Sequence, residues 1–204
     1  MELHEKKDNE FITTYRAMIK REGADRLLDY LMTKSDFFTA PASSRFHNDF
    51  EGGLCAHSLN VYHRLVQLLE GEYGDAWKEM FSPESVAIIG LLHDICKTNY
   101  YKVSYRNVKN EETNAWEKKP FYSVEDELPY GHGEKSVYII SGFMRLSREE
   151  AMAINWHMGG FDDRVRGGSY TVGVAFQEYP LAVLTHTADF LATYLDEKRA
   201  TEEE

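Results

Sequence analysis

Apolar residues return every three or four positions in FITTYRAMIK, ADRLLDYLMT, HSLNVYHRLVQLLE, SPESVAIIGLLHDICK, EKSVYIISGFM and PLAVLTHTADFLATYL. That is the period of a helix with one face turned to a core, so a helix is predicted for each stretch. Ser82-Pro83 sets a capping hydroxyl before a proline suited to the first helical position. Ser147 with Glu150 forms the pattern of a capping box ahead of AMAINWH. Helices are therefore expected to begin near Pro83 and Arg148. Between Asn99 and Pro129 the pattern changes: YYKVSYRNVK and AWEKKPFYSV place aromatic and β-branched residues on either side of the polar NEETN, which predicts a β-hairpin. The expected fold class is all-α, with N-terminal helices over 8–34 and a hairpin inserted at about 99–129.

No repeat and no Pro- or Ser-rich linker interrupts the 204 residues, so a single domain over 1–204 is expected. A chain of this length buries roughly 70% of the surface it exposes when unfolded. The closing EKRATEEE reads as a frayed helix end or a tail, and the acidic NEETN and TEEE as solvated. The apolar runs fall well short of the ~20 residues of a membrane span and MELHEKKDNE is polar, so no membrane partner and a cytoplasmic location are expected. Cys55 and Cys96 belong to no Cys-x-x-Cys pair, and the expectation is two buried thiols rather than a disulfide. A net charge of −11 argues against tight, sequence-independent binding to DNA or RNA. Phosphate substrates stay open, because a bound divalent cation reverses the local field of an acidic protein.

His93 and Asp94 are adjacent at the end of AIIGLL. Neighbouring helical residues diverge by about 100°, so both reach one ion only near a helix end or across a wide cavity wall. A lone histidine beside an apolar face is usually core or surface. Here, however, His57 begins an amphipathic stretch, His132 stands between two glycines, His157 ends a predicted helix and Asp189 lies within one. Imidazole and carboxylate together suit Zn, Mn, Fe, Co or Ni and leave positions open for water. The set could hold one ion or two, with Asp94 as the natural bridge in the second case. His47, in a loop before Gly52-Gly53, and His186, three residues before Asp189, could touch substrate or support the site. His63, six residues after His57, is turned away. The glycine pairs at 52–53, 159–160 and 167–168 match no nucleotide-binding fingerprint and read as turns. Ser43, Ser44 and Ser58 suggest no triad.

The order His57, His93-Asp94, His132, His157 and Asp189 resembles the H…HD…H…H…D signature of HD-domain metal-dependent phosphohydrolases, over about residues 36–195. The flanking segments FFTAPASSRFHNDFEGGLCAHSLNV, LLHDICK, GHGEKSV and LTHTADFLA are similar to the HD domain of YhaM-type 3′-5′ exoribonucleases. The resemblance implies an HD-type helical domain. It also implies a first metal site of His57, His93, Asp94 and Asp189, and a second of His132 and His157 with Asp94. Where related two-metal proteins often carry His-His, this chain reads Trp156-His157. Lys97 would contact a substrate phosphate by the same resemblance, or else act as a helix-terminal lysine facing the dipole. Lys135 has the same two readings.

The expected activity is hydrolysis of phosphate mono- or diesters of nucleotides or short oligonucleotides by metal-activated water, with Asp94 and Lys97 catalytic and Lys97, Lys135, His47 and His186 against substrate. Exonuclease action on long single strands, a non-catalytic metal-binding regulator and an iron-dependent oxygenase are the alternatives. Of the hairpin rings Tyr100, Tyr101, Tyr105 and Trp116, packing onto the helices is expected over stacking on a base. Oligomeric state is not legible.

Overall fold

After its first turn the segment PESVAIIGLL is apolar on every side, and a helix of that kind belongs in a core. In the computed structural model, which describes residues 2–197, it forms the middle of the molecule. The helices are α1 (Glu2–Met18), α2 (Ala24–Thr33), α3 (Gly53–Tyr73), α4 (Trp77–Met80), α5 (Pro83–Leu92), α6 (His132–Ser141), α7 (Arg148–Asn155), α8 (Asp163–Arg166), α9 (Thr171–Glu178) and α10 (Pro180–Leu191). The strands are β1 (Tyr101–Lys109) and β2 (Trp116–Val124), and a π turn over Ala192–Asp196 follows α10. The chain is predominantly helical with a small antiparallel sheet, as expected. The first helix begins at Glu2 rather than near residue 8.

Every residue of α5 from Val86 to Leu92 is buried, with α3, α1, α7 and α10 packed around it. Gly90 lets α3 come close: a Cβ there would sit 2.6 Å from the Cα of Tyr62. Both predicted helix starts hold. Ser82 is the residue before Pro83 at the head of α5, although its hydroxyl makes no cap hydrogen bond, so the proline alone marks this start. Ser147 and Glu150 close a full capping box on α7, with Glu150 N to Ser147 Oγ at 3.2 Å and Ser147 N to Glu150 Oε2 at 2.7 Å. The Glu150 carboxylate also accepts both Arg21 guanidinium nitrogens at 2.8 Å, tying the α1–α2 connection to α7.

The hairpin pairs Tyr101 with Val124 through to Lys109 with Trp116. Its strands contact chiefly each other. Tyr105 and Trp116 are exposed, which corrects the expectation that these two rings pack on helices; Tyr100 and Tyr101, at the hairpin base, are partly buried. Pro120 sits in β2, whose outer edge has no neighbour to miss its N–H. No helix among the described residues is long and apolar enough to cross a membrane.

Candidate metal centre

Helix α5 stops at Leu92; His93 closes it, and Asp94 leaves helical geometry at φ −105°, ψ 17°. This break lets two neighbours face one point. A 3₁₀ turn over Ile95–Lys97 follows. Residues three apart eclipse in such a turn, and Lys97 Nζ lies 2.6 Å from Asp94 Oδ2. The expectation that Lys97 shares a side with Asp94 therefore holds, although the α-helix does not continue.

The other candidates converge from four elements: His57 from the first turns of α3, His132 from the first residue of α6, His157 just past α7, and Asp189 from α10. His57 Nε2 is 3.2 Å from His93 Nε2, 3.4 Å from Asp94 Oδ2 and 3.3 Å from Asp189 Oδ1, while His93 Nε2 is 3.7 Å from Asp94 Oδ2. Four ligands at about 2.1 Å from one ion in a tetrahedron are about 3.4 Å apart. Across Asp94, its other oxygen Oδ1 meets His132 Nε2 at 2.7 Å and His157 Nε2 at 3.4 Å. Asp94 thus turns one oxygen to each half of the cluster.

The imidazoles are fixed from behind. Nδ1 of His57 meets Glu197 Oε1 at 2.8 Å, Nδ1 of His93 meets Gly90 O at 2.9 Å, and Nδ1 of His157 meets Ile154 O at 2.7 Å. These acceptors hold the proton on Nδ1 and turn Nε2 inward, so that each ring presents an Nε2 lone pair once neutral, the arrangement of a ligating histidine; His57 reaches that state by giving up its Nε2 proton. His157 Nε2 is buried without a hydrogen-bond partner among the described residues, an arrangement that costs free energy unless a ligand is supplied. These buried His and Asp groups could hold a metal ion.

Charges are balanced accordingly. Burial opposes charge on His57, but the carboxylates of Glu197, Asp189 and Asp94 overrule it and hold its pKa well above the usual value. Burial lowers His93 to about 3. Burial opposes the Asp94 carboxylate as well, yet Lys97, His93 and His132 bring it well below the usual range. His132 also works against burial, and Cys96 and Asp94 lift it to about 10. Without an ion, protonated His57, His132 and Lys97 neutralise the buried carboxylates.

Glu197 was not found by sequence reading, which assigned it to a tail; residues 198–204 of that segment lie outside the described residues. Its carboxylate takes His57 on one oxygen and His47 Nδ1 at 2.6 Å on the other, with Asn60 Nδ2 at 3.1 Å from the first. On a straight α-helix, eight residues from Asp189 would rotate Glu197 about 80° off the ligand face. The π turn, closed by Glu197 N to Ala192 O at 3.1 Å, winds more residues per turn and brings it back. Arg64 forks onto Asp196 and pins that turn.

A cavity of about 500 Å³ opens over the cluster, lined by Asp94, Lys97, His132, Asp189, His47 and His186 among others. His186 Nδ1 donates to His157 O at 2.7 Å and backs the His157 loop. Gly159, at φ +51°, makes room for that ring, whose Cε1 would lie 2.5 Å from a Cβ there. Lys135 is different: it is near the start of α6, where a dipole role is excluded, and pairs with Asp126 at 2.5 Å beneath the Tyr100 ring in an adjoining cavity. His63 pairs at the surface with Glu10 at 3.5 Å, as expected. Cys55 and Cys96 are buried free thiols, also as expected. Comparison with protein-family models, curated proteins and solved structures finds no match for the chain.

Proposed function

We propose that the chain is a metal-dependent phosphohydrolase of the HD type that cleaves phosphate mono- or diesters of nucleotides or short oligonucleotides. The observation that carries this reading is the set of three buried, inward-facing imidazole Nε2 atoms at ligand spacing from Asp94 and Asp189, the two carboxylates themselves lining an open cavity. His57, His93, Asp94 and Asp189 would hold the first ion, and Asp94, His132 and His157 a second. Mn, Fe, Ni, Zn and Co all suit such a mixed nitrogen and oxygen set. A bound ion lowers the pKa of water from 15.7 towards ~7 and supplies a nucleophile at neutral pH.

The remaining work falls to side chains. Lys97, kept protonated by the Asp94 carboxylate despite burial, offers a fixed charge to a non-bridging phosphate oxygen as negative charge develops. His132 is protonated at neutral pH beside Asp94 and lines the cavity. With one ion bound in the His57 half, His132 is the group placed to give a proton to the leaving oxygen; a second ion would displace that proton. His47 and His186 border the substrate space.

The test compares chelator-stripped and Mn-reloaded protein on aryl phosphates, nucleoside monophosphates and dinucleotides. Turnover in the reloaded protein alone, abolished by Asp94→Asn, is expected. Bound metal with no ester hydrolysed would defeat the hydrolase reading in favour of a regulator or an oxygenase.

A further inference from the structure

The cavity over the cluster has two chemically different halves. One is the ligand floor. The other is a mouth of aromatic rings: Phe161, Phe190 and Tyr194 line it, together with Phe46. Phe161 and Phe190 are each 43% exposed and Tyr194 60%. Scattered exposed aromatics are ordinary, but a contiguous set around one cavity marks a binding surface.

The rings are ordered with respect to one another. Phe190 lies near parallel to Phe161 at 19°, with centroids 6.2 Å apart, and touches Tyr194 at 4.6 Å. Their position follows from the chain. Phe190 is next to the ligand Asp189, and Tyr194 stands one turn further on, so α10 and its π turn present ligand and rings on adjoining stripes. Arg166 lies 5.9 Å from the Phe161 ring centroid and adds a positive charge at the mouth. The hairpin rings Tyr105 and Trp116 do not line this cavity.

We infer that Phe161, Phe190 and Tyr194 form a stacking platform for a flat aromatic heterocycle, a nucleobase, borne by the phosphate ester whose phosphate lies at the metal centre. This deepens the phosphohydrolase reading and rests on it for the placement of the phosphate. Flat rings suit the platform because aromatic faces accept any base by stacking, and one such stack is worth about tenfold in affinity. The cavity volume of about 500 Å³ accommodates one nucleotide-sized ligand and falls within the usual span for small-molecule sites. An alkyl chain would gain from area alone, without the benefit of ring order or of Arg166.

The probes are hydrolysis-resistant phosphonates bound to Mn-reloaded protein and followed by calorimetry: an adenosine 5′-methylenephosphonate, ethylphosphonate and octylphosphonate. The adenosine compound should bind about tenfold or more tightly than ethylphosphonate. Phe190→Leu keeps apolar bulk but removes the ring face, so it should erase most of that preference while ethylphosphonate affinity and metal content stay unchanged; Phe190→Tyr should restore it. Tyr194→Ala, at an exposed position, provides a second readout in the same direction. Equal binding of the adenosine and ethyl compounds, tighter binding of octylphosphonate, or a preference that survives Phe190→Leu would each overturn the platform. Retained base preference in a protein that hydrolyses no ester would support the platform while defeating the hydrolase reading.

Discussion

Replacing Glu197 with glutamine removes one charge and almost no volume, and the structure sets the size of the effect. The carboxylate accepts from His57 Nδ1 at 2.8 Å and from His47 Nδ1 at 2.6 Å, one histidine on each oxygen. Glutamine keeps one acceptor oxygen and presents an NH₂ group that cannot accept an N–H, so one histidine loses its partner. If His57 loses it, a buried N–H is left unpaired, which costs about 1–3 kcal/mol. At 1.4 kcal/mol per factor of ten, that is about 5- to 150-fold. Removing a carboxylate behind a ligating imidazole typically weakens metal binding about 10–100-fold, and the two ranges overlap. Metal affinity measured by competition with a chromogenic chelator should therefore fall about 10–100-fold in Glu197→Gln, with the helical circular dichroism unchanged. Asn60→Ala leaves the carboxylate on both histidines and should lose less than about threefold. Affinity in Glu197→Gln within about twofold of the parent protein, or an equal loss in Asn60→Ala, would refute the reasoning.

Asp94→Asn should abolish turnover and lower metal content, whereas Lys97→Ala should keep metal and lose rate; unchanged hydrolysis in Lys97→Ala would remove its assignment to the phosphate. Despite burial, His132 has a folded pKa raised to about 10 by Cys96 and Asp94, so these contacts stabilise the metal-free protein fully below the unfolded value of about 6.5 and fade as pH rises through about 10. Thermal melts of stripped protein should thus decline across that window. Metal binding near pH 7 should release a proton from His57, whose pKa is raised, so affinity should climb with pH, as calorimetry in two buffers would show. Glu150→Gln weakens a buried pair with Arg21 and a helix cap; Arg21 retains Glu84 at 3.3 Å and is 21% exposed, so the loss should be about 2–3 kcal/mol by urea titration at pH 7. The Glu150 pKa is depressed, with burial opposed by Arg21 and other hydrogen bonds. Its contribution is present above the unfolded value of about 4.3 and is lost as pH falls through the folded value, so the gap to the parent should close in acid.

What the chain discloses on inspection depends on how local the cause is. Helix starts at Pro83 and Arg148 are local, set by the proline itself and by Ser147 with Glu150, and both hold. The hairpin is local as well, since each strand has its own composition and the NEETN turn lies between. The six candidate ligands converge, though spacing alone did not dictate it: His93 and Asp94 share a target only because α5 ends between them. Glu197 was hidden because its direction depends on a π turn, a change of winding that helical periodicity cannot anticipate. Phe161, Phe190 and Tyr194 were equally hidden, for the opposite reason. Phe190 and Tyr194 stand in a helical pattern, where an aromatic residue reads as core, and Phe161 follows a glycine turn that gives no sign of its surroundings; only the packed chain leaves these three at a cavity mouth. Lys135 read as a phosphate contact or a helix-terminal lysine, and its pairing with Asp126, nine residues earlier, was not visible before the chain was packed.

Crystals of protein reconstituted with Mn, Fe, Ni or Zn, with element content measured on the same preparation and anomalous density collected at the metal edge, put the metal centre to the test. The expected result is about one or two ions per chain, the first enclosed by His57 Nε2, His93 Nε2, Asp94 Oδ2 and Asp189 Oδ1. Less than about a tenth of an ion per chain after reconstitution, or density at some other place with these four atoms left bare, would contradict it.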